Sequence, residues 1–239
     1  MKREFNFNEL IKFSNFSKTE EEILCNLNNQ VGDSLTFKID NSIETAKFNY
    51  VKNEINLKKI NDYSSLIHEL LHAELIIFHK FPTIKDINEI LITYSQLRLK
   101  NLIATLTNDV HHFIFYNKFK RATKHKESIY LVSNQKRILE SNFSNEYLEK
   151  KYNQQGTNLN KVLFYYKSIF IINTYKVLLK ENTTSSEKLM ILDAQLYKIF
   201  NNFFTSILAL NYEYKESTTR TEELLIYTTL IKKIKTYLI

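Results

Sequence analysis

The sequence predicts an α+β protein that is mainly helical, with a small antiparallel sheet near its amino terminus. Two observations carry this prediction. The 239 residues include only two glycines and one proline, the residues that most often interrupt helices and strands. A stretch of alternating apolar and polar residues also gives way, from Asp62 onward, to apolar residues three or four positions apart, the spacing of one helix face. At 44% hydrophobic residues, the chain can bury a sizeable core.

The amino-terminal quarter has a mixed pattern. Ser17, followed three residues later by Glu20, forms the capping-box pattern at the start of a short amphipathic helix. Alternating apolar residues then predict three strands, at 35–39, 46–50 and 55–57. We expect these strands to form an antiparallel meander that ends in a hairpin.

The rest of the chain has the pattern of helices. Asp62 can cap a helix that stops by Pro82. A second helical pattern covers 87–106, and a third begins near Asn108. Beyond residue 122 the apolar spacing predicts a helical carboxy-terminal half.

The composition excludes several classes of protein. Cys25 is the single cysteine, so neither a disulfide framework nor a zinc ribbon can form. Two glycines cannot supply a phosphate-binding loop, which excludes P-loop and dinucleotide-binding enzymes. The charged start lacks the apolar region of a secretory signal, and the most apolar stretch, 162–179, is interrupted by lysines and an asparagine. We therefore expect a cytoplasmic protein with no membrane partner.

The net charge of +7 comes from lysines spread through the whole chain. The local concentration is a basic cluster at 118–126, which contains Lys118, Lys120, Arg121, Lys124 and Lys126. Such a cluster could contact phosphates and leaves a nucleic-acid partner open. Because no recognisable binding motif accompanies it, we interpret it as a solvated helix end.

The segment from His68 to His72 reads His-Glu-Leu-Leu-His and carries the most specific chemistry. Residues four apart share a helix face, so His68 and His72 can bind one zinc ion, with Glu69 beside them. In this HExxH arrangement, the glutamate acts as general base and takes a proton from the zinc-activated water that attacks a carbonyl. With six histidines in the chain, a chance match to the pattern is rare.

This segment resembles the zincin metallopeptidases, because it follows a predicted strand and hairpin and its histidines lie among apolar residues. The resemblance implies a sheet packed on the active-site helix, with an edge strand that binds an extended peptide, a role for the hairpin at 46–58. It is distantly similar to the ImmA/IrrE group of soluble bacterial zinc peptidases. Glu74 departs from the family pattern, which is usually apolar there, and no metzincin continuation follows His72.

A catalytic zinc site needs a third protein ligand from elsewhere in the chain. Five of the six histidines lie between positions 68 and 112, which favours a shared site. The segment Asn108–His112 also resembles the second motif of the ImmA/IrrE group, which ends in Glu-His. His111 stands at the glutamate position here, so the identity of the third ligand stays open.

Helix spacing ranks the candidates for this third ligand. Asp109 and His112 lie three residues apart on one polar stripe, and a carboxylate often orients a ligating imidazole. We favour His112, supported by Asp109. His111 is a close alternative, and Glu89 is the distant carboxylate that a glutamate-type zincin would use.

The sequence therefore predicts a zinc metallopeptidase acting on a peptide or protein substrate, with a zincin-like catalytic unit at 1–122 and a helical region at 123–239 that could belong to one continuous domain. A catalytically inactive zincin-like binding or regulatory protein is the alternative. A less favoured reading is a di-iron helical bundle, in which Glu69 with His72 and Asp109 with His112 hold two irons.

Overall fold

The computed structural model describes residues 3–32, 35–123, 144–174, 176, 185–210 and 220–239. These residues are mainly helical, with one small four-stranded sheet, which confirms the coarse fold class. No helix within these ranges is both long enough and apolar enough to cross a membrane.

The sheet consists of β1 (Arg3–Phe5), β2 (Thr36–Ile39), β3 (Lys47–Asn49) and β4 (Glu54–Leu57), in the spatial order β1-β2-β4-β3. β1 pairs with β2, and β3 with β4, in antiparallel fashion, but β2 and β4 are parallel. The prediction of an antiparallel sheet is therefore wrong for its central pair. The segment 40–46 carries the chain across about two strand spacings, roughly 10 Å, before β3 begins, so that β4 returns between β2 and β3.

The hairpin of β3 and β4 follows the alternation in the sequence. Phe48 lies opposite Ile55, and Asn53 occupies the left-handed region with φ of 50° in the turn, a conformation that asparagine tolerates. Ile55 and Leu57 are fully buried. β3 forms one edge of the described sheet, and the helix that follows the hairpin contacts both β3 and β4.

The α-helices of the described residues are α1 (Phe7–Phe13), α2 (Lys18–Val31), α3 (Tyr63–Ala73), α4 (Ile84–Thr93), α5 (Lys100–Thr123), α6 (Asn145–Asn153), α7 (Asn158–Asn173), α8 (Ser185–Leu192), α9 (Ala194–Ala209) and α10 (Arg220–Tyr237). The predicted capping box of α2 is present, with Ser17 and Glu20 bonding reciprocally. The sequence analysis missed β1 and α1, although α1 has a capping box of its own formed by Asn6 and Glu9.

α3 begins where the sequence predicts. Asp62 caps it by accepting hydrogen bonds from the backbone N–H and the hydroxyl of Ser65, at 3.1 and 2.8 Å. Its apolar face is fully buried and consists of Leu66, Ile67, Leu70 and Leu71. The helix then widens into a π-turn at Glu74–Phe78 before the chain reaches Pro82. Such turns are rare and occur frequently at functional sites.

α5 is longer than the sequence pattern indicated. The prediction of a helix start near Asn108 is wrong, because that residue lies in the middle of one continuous helix from Lys100 to Thr123. The interruption falls earlier, at Ser95, whose φ is 56°, and at the 3₁₀ turn Leu97–Leu99. From Lys100 onward no glycine or proline breaks the helix.

The described residues form two compact units. One contains the chain through Thr83 and the part of α5 from Asn117. The other contains α4, α5 through Tyr116 and α6 to α10. In the second unit α9 contacts α7, α8 and α10 around large buried rings, including Tyr165, Tyr166, Phe200, Phe204 and Tyr227. The division near residue 122 stays a prediction, because residues 124–143 lie outside the described part of the chain.

Candidate metal centre

α3 presents the two histidines of the HExxH segment on one face. The rings of His68 and His72, one helical turn apart, lie 4.8 Å from centroid to centroid and nearly perpendicular. His72 is buried and His68 is half-buried, so both rings lie at the edge of the core. The strong apolar face of α3 holds the helix against α2, β3 and β4 and thereby fixes the direction of the histidine face.

Residues in the last two turns of α5 contact α3 and the turn that follows it. The hydroxyl of Tyr63, at the start of α3, donates to the carbonyl of Ala122 at 3.2 Å, and the ring of Phe119 lies 6.0 Å from that of His68. Lys118 contacts Glu74, just beyond the end of α3.

One nitrogen from each ring of His68, His72 and His112 lies within 4.8 Å of the other two. Among the histidine, cysteine, aspartate and glutamate side chains of the described residues, these three histidines form a group close enough to hold a metal ion. The structure thus brings together the two histidines of the motif and the favoured third candidate.

The donor set fits zinc. Imidazole nitrogens are common zinc ligands, and three protein ligands leave a fourth position for water, as in catalytic sites. Zinc–nitrogen distances of about 2.1 Å separate tetrahedral ligands by about 3.4 Å, and the three nitrogens lie within 4.8 Å of one another.

Glu69 lies beside this cluster and is buried, with 5% of its surface exposed. Its Oε1 atom lies 2.8 Å from Nδ1 of His68, a hydrogen-bonding distance. If Nδ1 carries the proton, Nε2 of the same ring is the atom available to a metal. The second oxygen of the Glu69 carboxylate can accept a further hydrogen bond.

The other candidate ligands lie elsewhere. His111 is buried outside the cluster, and burial lowers the pKa of its imidazole to about 3, so the ring is neutral at physiological pH. Glu89 is exposed on α4. Asp109 accepts a short hydrogen bond from the hydroxyl of Tyr166 on α7. Burial raises the pKa of Asp109 more than the Tyr166 hydrogen bond lowers it.

Glu74, the departure from the zincin pattern, is buried and engaged. Its Oε1 atom contacts Nζ of Lys118 and lies 3.8 Å from Nε2 of His79. Burial opposes ionisation of this carboxyl, but the hydrogen bonds from His79 and Lys118, with the charge of Lys118, outweigh it and lower its pKa. Lys118 also donates to the side-chain oxygen of Gln30 at 3.1 Å.

The sequence pattern did not indicate that Lys118 contacts Glu74 or that Tyr166 bonds to Asp109. Lys118 was assigned to the basic cluster at 118–126, whereas its ammonium group is directed to Glu74 and Gln30. Lys120 and Arg121 are exposed, and Lys124 and Lys126 lie outside the described residues. The glutamate that stands between apolar Ala73 and Leu75 was the available signal for a cationic partner.

Comparisons of the chain with protein-family models, with curated proteins and with solved structures gave no match.

Proposed function

We propose that this protein is a zinc-dependent hydrolase, in which His68, His72 and His112 hold the metal and Glu69 is the general base. The observation that carries the proposal is the approach of three imidazole nitrogens to within 4.8 Å of one another, directly beside a buried glutamate. Two of these histidines and the glutamate come from a single HExxH segment.

Zinc in such a site supplies Lewis acidity, which polarises a carbonyl and acidifies a water molecule. The protein's own contribution is to hold the three rings and to move a proton. The carboxylate of Glu69 accepts the proton of the attacking water and delivers it to the leaving amine. Burial keeps this carboxylate away from bulk water, and its contact with His68 restricts its orientation.

The edge of the sheet favours a peptide as the substrate class. β3 is an edge strand of the described sheet, so its outer backbone groups can pair with an extended chain, and α3 contacts both β3 and its neighbour β4. A peptide added to β3 would run beside the helix that carries His68 and Glu69. This arrangement supports a peptidase over hydrolases of compact small substrates.

Replacement of Glu69 tests the proposed chemistry. Glu69→Gln preserves the shape of the side chain but removes its basicity, so hydrolysis of a fluorescently labelled, denatured protein should fall by about 10²–10⁴-fold. The zinc content should stay at the wild-type value, because the three histidines are unchanged. Activity would be measured at a fixed free zinc concentration, with zinc content determined on the same samples.

His68→Ala is the matched variant that should lose both zinc and hydrolysis. Wild-type hydrolysis in Glu69→Gln would contradict the assigned role of the glutamate. Hydrolysis that survives both substitutions would show that a contaminating enzyme or another site is responsible.

The contact between Glu69 and His68 also favours a second candidate function, a zinc-binding protein without catalysis. A carboxylate held at 2.8 Å by a neighbouring ring could serve mainly to orient that ring. Zinc binding by the wild type without hydrolysis of any denatured protein or peptide mixture would favour this candidate. The di-iron alternative lacks such support, since Asp109 bonds to Tyr166 and the cluster of the described residues contains only histidines.

A further inference from the structure

The ion pair of Glu74 and Lys118 joins the residue that directly follows α3 to a residue of α5. These are the two helices that carry the histidine cluster. Glu74 is the first residue of the π-turn and follows His72 by two positions. Lys118 lies on α5, six positions after His112, or about 9 Å along the helix axis. The pair therefore joins the end of α3 to the helix that carries the proposed third ligand.

The pair is built for a fixed geometry. Only 4% of Glu74 is exposed, and its carboxylate is approached by Lys118 and by the ring of His79. Lys118 is further held by Gln30 from α2, which itself packs against α3 and the π-turn. The carboxylate is buried whereas 38% of the Lys118 side chain is exposed, so the pair contributes little net stability. The best-attested use of a charged group held in a core is to select one arrangement among several.

The π-turn couples the ion pair to the proposed metal ligand His72, which lies two residues before it. The backbone N–H of His79 donates to the carbonyl of Glu74 at 3.1 Å, the wide spacing of a π-turn, so Glu74 is fixed through both its backbone and its side chain. A shift of Glu74 relative to Lys118 would move His72 relative to His112. Tyr63 and His68 also contact the end of α5, through a hydrogen bond to the carbonyl of Ala122 and a ring contact with Phe119.

We infer that Glu74 and Lys118 are positioning residues, which hold His112 at the separation from His68 and His72 that a metal ion requires. This inference rests on the proposed function and adds the ion pair that sets the geometry of the proposed metal site. The pair touches neither substrate nor metal and acts only through the helices that carry the ligands.

Two variants test the inference. Lys118→Met removes the cation and leaves the buried carboxylate of Glu74 without it. The double variant Glu74→Gln with Lys118→Met removes both charges at similar volume and leaves no buried carboxylate without its cation. Lys118→Arg keeps the cation and serves as the conservative rescue. Lys188→Met is the matched control, since it breaks the pair of Lys188 and Glu149, which lies outside this cluster.

The measurements are zinc affinity, by competition with a chromophoric chelator, and the visible absorption spectrum of the cobalt-substituted protein. Both charge-removing variants should bind zinc at least about tenfold more weakly, the range for residues that orient metal ligands. Their cobalt spectra should change in band position or intensity, while thermal unfolding of the metal-free double variant stays cooperative. Lys118→Arg and Lys188→Met should keep the wild-type spectrum.

Wild-type zinc affinity and cobalt spectrum in the folded double variant would overturn the positioning role while leaving the metal site intact. Failure of the wild type itself to bind zinc or cobalt would instead overturn the proposed function, and this inference with it. The two failures are distinguished by the wild-type protein alone.

Discussion

His111 and His112 are neighbours in the chain but lie in different environments. A helix turns by about 100° per residue, so adjacent side chains leave α5 in different directions. The His111 ring enters the core, where burial keeps it neutral, and the half-buried His112 has a nitrogen near those of His68 and His72. The two residues therefore have separate expected roles, one in packing and one in metal binding.

Substitution of each histidine separates these roles. His112→Ala should weaken zinc binding by more than about 100-fold, because loss of a ligand exceeds the effect of losing a residue that merely orients one. His111→Ala should keep zinc affinity close to wild type but lower the free energy of unfolding by about 2–3 kcal/mol, since it leaves a cavity in the core. Chelator competition and urea unfolding of the metal-free proteins measure the two quantities.

The opposite pattern, with zinc lost in His111→Ala and kept in His112→Ala, would assign the third ligand to His111. The sequence ranked these two residues from helix spacing alone, and it could not exclude His111. It also could not predict that Asp109 bonds to Tyr166, 57 positions away, because no spacing rule connects residues on separate helices. At the residue scale, local spacing was informative and distant partners were not.

The sequence predicted the starts of α2 and α3 correctly, because their capping side chains act within three or four residues. Asp62 and Ser17 cap the helices that follow them, as their sequence positions indicated. The sheet was harder to predict. Alternation located β2, β3 and β4, but their pairing depends on the path of the intervening loop. β1 has the sequence Arg-Glu-Phe, in which a single apolar residue shows no alternation.

Asp193, at the start of α9, joins several elements of the second unit. Its carboxylate accepts the backbone N–H of Leu196 at 3.0 Å, which caps the helix. The other carboxylate oxygen accepts the hydroxyls of Tyr152 from α6 and Tyr237 from α10, at 3.1 and 2.8 Å. One side chain thus connects the ends of three helices.

Asp193→Ala should lower the free energy of unfolding by about 3 kcal/mol. Loss of the cap accounts for about 1 kcal/mol, and loss of the hydrogen bonds between the tyrosine hydroxyls and a charged acceptor accounts for the rest. Tyr152→Phe removes one of those bonds and should cost about 1 kcal/mol. Urea unfolding of both variants, monitored by far-ultraviolet circular dichroism, tests the ranking, and an equal loss in the two variants would contradict the joining role of Asp193.

At the scale of the whole molecule, composition and periodicity predicted the coarse architecture of the described residues. The scarcity of glycine and proline predicted long helices. The change from alternation to helical spacing located the start of α3. Asparagine is typical of a helix start, so the sequence could not show that α5 continues through Asn108. Buried residues on either side hold Asn108 in the middle of the helix. Tertiary packing overrides such local preferences.

The central claim is that three histidines from α3 and α5 bind one metal ion. It is tested most directly by the metal content per chain of the purified protein, beside a His68→Ala variant, after both are supplied with zinc and freed of loosely bound metal. We expect about one zinc per wild-type chain and almost none in the variant, because binding needs the neutral imidazole ligands together. No zinc in the wild type, equal zinc in both proteins, or two irons per chain would contradict it.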